Sequence, residues 1–135
     1  MNRDITILVV DDEEAICAVM QELLQRKGYN VLIALDGDKA LEILGSNNVT
    51  AVISDIVMPG MGGKDLLTAI NAKYPQIPVI MMTGYGDAFS IKQVIALGAD
   101  EYITKPFKGD EVSMIIERVL WRVNNPTANP APLAE

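Results

Sequence analysis

The sequence predicts an α/β protein built on a five-stranded parallel sheet, and three observations carry that expectation. Short continuous apolar runs alternate, five times, with stretches of helical apolar periodicity. Glycines stand where helical stretches stop, at Gly28, Gly45 and Gly98. Reactive polar residues follow the apolar runs directly: Asp11, Asp12, Asp55, Thr83 and Lys105. A run without polar interruption suits a strand covered on both faces, which is a parallel sheet between layers of helices.

Ile5 to Val10 is the first run and reads as a buried strand. Ala15, Ile16, Val19, Met20, Leu23 and Leu24 then recur at helical spacing. "YNVLIA" is a second strand, and Ala40, Leu41 and Leu44 mark a short second helix. "TAVIS" is a third strand running into Asp55, followed by the loop "IVMPGMGG". Leu66, Leu67 and Ile70 give a third helix, and "IPVIMM" is a fourth strand ending at Thr83. Phe89 to Leu97 is a fourth helix, and "EYIT" a fifth strand ending at Lys105. Asp110 to Val123 is the fifth helix, with Val112, Ile115, Ile116, Val119 and Leu120 on its apolar face. These elements make one domain over residues 1–123. The remainder, 124–135, has three prolines and no periodicity, and reads as a linker or disordered end.

Composition narrows the function classes. A chain of 135 residues forms one domain and buries roughly 68% of its unfolded surface, enough for a real core. Lys and Arg number 11 against 18 Asp and Glu, a net charge of −7. That opposes direct binding to nucleic acid or anionic membrane, which needs a basic face. The absence of histidine removes histidine acid–base chemistry and zinc sites of the usual kind. Cys17, alone, forms no internal disulfide and is expected as a small core residue. The start "MNRD" has no signal-peptide stretch, and no run is long enough to span a membrane, so a cytoplasmic protein is expected.

Four adjacent acids, Asp11 to Glu14, pose a question, because like charges at the end of a core strand repel. In open sheets of this class, ligands bind beyond the carboxyl ends of the strands, where strand order reverses. With the flavodoxin-like order 2-1-3-4-5, in a three-layer (βα)5 sandwich, that point lies between strands 1 and 3. Asp11, Asp12, Asp55, Thr83 and Lys105 then fall on the four strands that can share one pocket. Strand 2 ends in Ala34 at the far edge and offers nothing.

Through "ILVVDDEE", "SDIVMPGMGG", "MMTGYGD" and "DEYITKPF", the chain closely resembles the receiver domain of two-component response regulators over residues 5–123. The resemblance implies the strand order and a set of roles. Asp55 is the phosphoacceptor, taking a phosphoryl group from a sensor histidine kinase and forming an aspartyl phosphate. Mg2+ is held by Asp12, Asp55 and the backbone carbonyl of Val57, with Asp11 acting mostly through water. Lys105 and the Thr83 hydroxyl meet phosphoryl oxygens, with the Gly84 N–H nearby. Tyr102 occupies the switch-aromatic position. The surface of the fourth helix, fifth strand and fifth helix changes on phosphorylation and binds an output partner or a second copy. The Lys105–Pro106 bond is cis. Val57 and Tyr85 shield the aspartyl phosphate from water, giving it a long life. Such a domain catalyses only its own phosphorylation and dephosphorylation. Glu13 and Glu14 are read as first-turn helix acids. Met58 and Met61 are loop packing, Gly60, Gly62 and Gly63 serve loop backbone angles, and Trp121 is core or partner surface.

Two rivals differ in sequence. A nucleotide- or flavin-binding module wants a Gly/Ser/Thr-rich loop after strand 1, where this chain has "DDEEA". An aspartate-nucleophile phosphatase of the dehalogenase type wants a D-x-D pattern there, whereas Asp11 and Asp12 are adjacent. No output domain follows residue 123, so the chain is expected to be a stand-alone regulator or part of a longer one.

Overall fold

The computed structural model describes residues 4–84 and 91–125. Its elements are β1 (Thr6–Val10), α1 (Glu14–Arg26), β2 (Asn30–Ala34), α2 (Gly37–Ser46), β3 (Ala51–Asp55), α3 (Gly63–Lys73), β4 (Val79–Thr83), α4 (Ile91–Ala96), β5 (Glu101–Thr104) and α5 (Gly109–Asn124). All strand pairs are parallel, in the order β2-β1-β3-β4-β5. This is the expected fold and order. Phe89, at the expected start of the fourth helix, Tyr85, and the tail from residue 126 lie outside the described residues.

Strand alternation builds two cores. Ile7 and Val9 of β1 pack with Ile53, Ile80, Met82 and Ile103 against α1 and α5. Leu8 and Val10 face the other way, with Val52, Val79 and Met81, against α2, α3 and α4. Every residue of β3 and β4 is buried, which is why those runs lack polar alternation. β2 is an edge strand and only its last residue, Ala34, is buried. Cys17 packs in the α1–α5 core, as expected. Trp121 is half exposed on α5, which resolves it as surface. Among the described residues, no helix is long and apolar enough to cross a membrane.

The glycines of the β3–α3 loop divide in their reasons. Gly60 takes a positive φ of 71°, a conformation that favours glycine. Gly63 has no such angle; it opens α3 pressed against the end of β3. A Cβ there would lie 2.6 Å from the Ile56 Cα and collide with the Asp55 carbonyl oxygen. Its N–H also donates to the Ile56 carbonyl at 3.0 Å. The expectation of loop angles is therefore corrected at Gly63: close backbone approach requires the glycine, and it fixes where Asp55 sits.

Candidate functional site

Three strand ends assemble the site. Asp11 leaves β1 with its N–H on the Ala34 carbonyl at 3.1 Å and no exposed surface. Its Oδ1 accepts the Glu13 N–H at 2.9 Å, and its carbonyl accepts the Cys17 thiol at 3.3 Å. Asp55 ends β3, buried, and its carboxylate accepts the Val57 N–H. Lys105 follows β5 with its N–H on the Thr83 carbonyl at 2.7 Å, and the Lys105–Pro106 bond is cis, as the resemblance implies.

The Lys105 ammonium reaches into the acids. Nζ lies 3.0 Å from Asp11 Oδ2, 3.3 Å from Asp55 Oδ1 and 3.6 Å from Glu13 Oε1. The ammonium is the one close partner of Asp11 Oδ2 among the described residues, so that buried oxygen keeps unused acceptor capacity. Asp12, on the surface, brings its carboxylate into the same group; oxygens of Asp11, Asp12 and Asp55 all lie within 4.8 Å of one another. The cleft above Asp11 holds about 370 Å3 and is lined by Asp12, Glu13, Asp55, Val57, Gly84 and Lys105.

The electrostatics follow from burial and crowding. Burial, then the Asp11 charge, push the Asp55 carboxyl up to about 6, against the pull of Lys105 and the Val57 N–H. Burial would lower Lys105, but its contacts with Asp11 and Asp55 outweigh that and raise it, so it is cationic at neutral pH. Burial pushes the Cys17 thiol up to about 11, with Asp11 adding to the effect, so it stays neutral. An excess of close carboxylates, with a buried Asp11 oxygen whose one close partner is the lysine, suits a hard divalent cation such as Mg2+, which takes oxygen ligands.

The other sequence candidates are placed as follows. Thr83 is buried at the end of β4, paired in register with Thr104, and Gly84 beside it lines the cleft. Val57 lines the cleft with its side chain half exposed. Tyr102 is half-buried on β5, one strand over and two residues back from Thr83, hence about 8 Å away between Cα atoms. It lines a shallow groove with Met114 and Arg118 of α5, outside the cleft. Glu13 corrects its reading as a first-turn acid: it is the N-cap of α1, and Glu14 alone is the first-turn acid. Its side chain joins the Lys105 cluster, a role whose only trace in the sequence is the unbroken run of acids.

Residues 7–117 match the family model described as the response regulator receiver domain. The chain is 37% identical over 116 residues to the transcriptional regulatory protein CpxR of Escherichia coli, covering 86% of this chain and 49% of that protein. A response regulator receiver domain protein from Clostridium thermocellum superposes with a TM-score of 0.85 at 33% identity, over 91% of this chain and 99% of that one. The receiver domain of NtrX from Brucella abortus superposes with a TM-score of 0.81 at 35% identity, over 85% and 98%. The chain thus spans no more than about half the length of the curated relatives it matches.

Proposed function

Because this chain belongs to the response regulator receiver family, we propose that Asp55 is its phosphoacceptor and that a sensor histidine kinase is the donor. The observation that supports this best is a buried strand-end carboxylate with a lysine ammonium at 3.3 Å and two further acids beside it. An Asp55 oxygen attacks phosphorus; the new O–P bond forms as the donor's P–N bond breaks, and the electron pair leaves with the imidazole nitrogen. The chain holds no histidine, so the donor histidine lies outside these 135 residues.

Asp11, Asp12, Asp55 and the Val57 carbonyl would hold Mg2+, which, when bound, supplies the positive charge that lets a carboxylate approach an anionic phosphoryl group. Lys105 turns its ammonium from Asp11 to a phosphoryl oxygen. The Thr83 hydroxyl and the Gly84 N–H take others, so stabilisation is by positioned charge and donors. Thr83 moving toward the phosphoryl group frees space that Tyr102 fills. The output surface is then α4–β5–α5, whose outer side exposes Ile91, Ile95, Met114 and Trp121. An output protein, or a second copy of the domain, docks there. The protein is a regulator rather than a metabolic enzyme, and a cytoplasmic place suits it.

Intact-mass measurement with acetyl phosphate tests the acceptor. One phosphoryl mass is expected on the wild type with Mg2+, and none on Asp55→Asn or after EDTA. Equal uptake by Asp55→Asn, or uptake indifferent to EDTA, overturns the reading.

A further inference from the structure

Lys105 has three carboxylate partners, and they are not equivalent. Asp11 and Asp55 lie in the candidate metal cluster; Glu13 does not. A dication would draw on the charge of Asp11 and Asp55 and weaken their hold on the lysine, while Glu13 would keep its charge for the ammonium. Glu13 is also well anchored: its N–H is fixed to Asp11 Oδ1 at 2.9 Å, so the backbone is set by the site. Its side chain is 64% exposed and can follow Lys105 as it moves.

We infer that Glu13 is a positioning residue, a tether that holds Lys105 in the dication-loaded, unphosphorylated domain and competes with the phosphoryl group for it. The tether rests on the acceptor reading above and deepens it. With metal bound, Lys105 has two remaining claimants, Glu13 on the rim and the incoming phosphoryl oxygen. Weakening the first favours the second. Glu13 is 64% exposed and Lys105 17%, and solvent at the carboxylate keeps such a pair weak, about 1.5- to 5-fold in an equilibrium, which sets the size of the effect. The tether therefore tunes how readily the phosphorylated state forms and leaves the chemistry at Asp55 in place.

Two measurements decide it. The first follows the Lys105 side-chain NMR resonance in the metal-free protein and with Mg2+. Glu13→Gln should shift it in both, and more with Mg2+; no shift, or a shift that Mg2+ diminishes, overturns the tether. The second is the affinity for beryllofluoride, a phosphoryl mimic, with Mg2+. Glu13→Gln should tighten binding about 1.5- to 5-fold. Glu14→Gln, which removes the same charge one residue away, should leave it unchanged, and Glu13→Gln should have no effect in a Lys105→Gln background. Tightening that persists without Lys105, or that Glu14→Gln reproduces, means a general field effect and overturns the inference. A wild type that binds no beryllofluoride counts against the acceptor reading itself, and the Lys105 resonance still decides the tether.

Discussion

Two charge clusters lie at opposite ends of the sheet and behave oppositely. At the carboxyl end, Asp11, Asp12, Glu13 and Asp55 surround the single ammonium of Lys105. At the amino end of β5, Glu101 receives Arg118 at 3.0 Å and Arg122 at 2.8 Å, and Arg122 also reaches the Asp100 carbonyl. Asp100 in turn accepts the Val79 N–H at 2.8 Å, tying β4 to the start of β5. In that second cluster two guanidinium groups hold the Glu101 carboxylate while Asp100 spends its own on the Val79 N–H, and the result is a clamp between α5 and the sheet. In the first, acids outnumber cations, and the surplus charge is stabilised only when something positive arrives. Balance makes structure; imbalance leaves a site.

The sharpest way to break the contrast is to remove the one cation from the unbalanced cluster. Lys105→Met leaves Asp11 and Asp55 buried together, and should lower the stability of the metal-free protein by about 3 kcal/mol. Urea unfolding should show Mg2+ recovering more stability in this variant than in the wild type. Equal stability with and without the lysine would mean the acids are not strained.

Removing one acid should do the reverse. The Asp55 carboxyl titrates at about 6 when folded, above its ordinary 3.8, so the folded state resists its ionisation. The penalty is absent below about pH 4, builds through pH 4 to 6, and is full above. Asp55→Asn should therefore stabilise the metal-free protein by about 2 kcal/mol at pH 7, with the gain vanishing near pH 4. Mg2+ should shrink the difference, since only the wild type keeps all three carboxylates. Unfolding curves across that window check it; a gain that grows in acid has the wrong sign.

The balanced cluster should respond less. Glu101→Gln weakens partly exposed ion pairs and should cost about 1 kcal/mol, with no dependence on Mg2+. A Mg2+-dependent loss would show the two clusters to be coupled.

The smallest effect concerns the mouth of the cleft. The Val57 side chain offers no hydrogen bond to a water approaching the proposed aspartyl phosphate, and Val57→Asn supplies one. Phosphate loss timed after donor removal should quicken by about three-fold, on the order of 0.6 kcal/mol. An unchanged lifetime removes Val57 as the barrier. Tyr85, read as a second shield, lies outside the described residues.

Much of the site was legible because of where reactive residues stand along the chain. Asp11, Asp55, Thr83 and Lys105 each end or follow an apolar run, and parallel strands carry all such ends to one side. Glu13 was read as a helix acid because its distinguishing feature, an ammonium at 3.6 Å, comes from a residue 92 positions away, at 105 against 13. Gly63 was read as a loop glycine because close approach between backbone segments leaves the same residue in the sequence as a positive φ does.

By itself, the sequence determined the alternation of strands and helices, the two-sided burial of β1, β3 and β4, and the acids and lysine available at the strand ends. Those are local properties: periodicity and composition act within one element, and burial selects them there. Only the tertiary structure decided which carboxylate faces Lys105, that Asp11 Oδ2 is left with unused capacity, that Trp121 lies on the surface, and that Asp55 titrates near 6. Each depends on distances between residues far apart in the chain. Electrostatic energy and desolvation follow distance and burial in space, for which no local pattern of residues is a substitute.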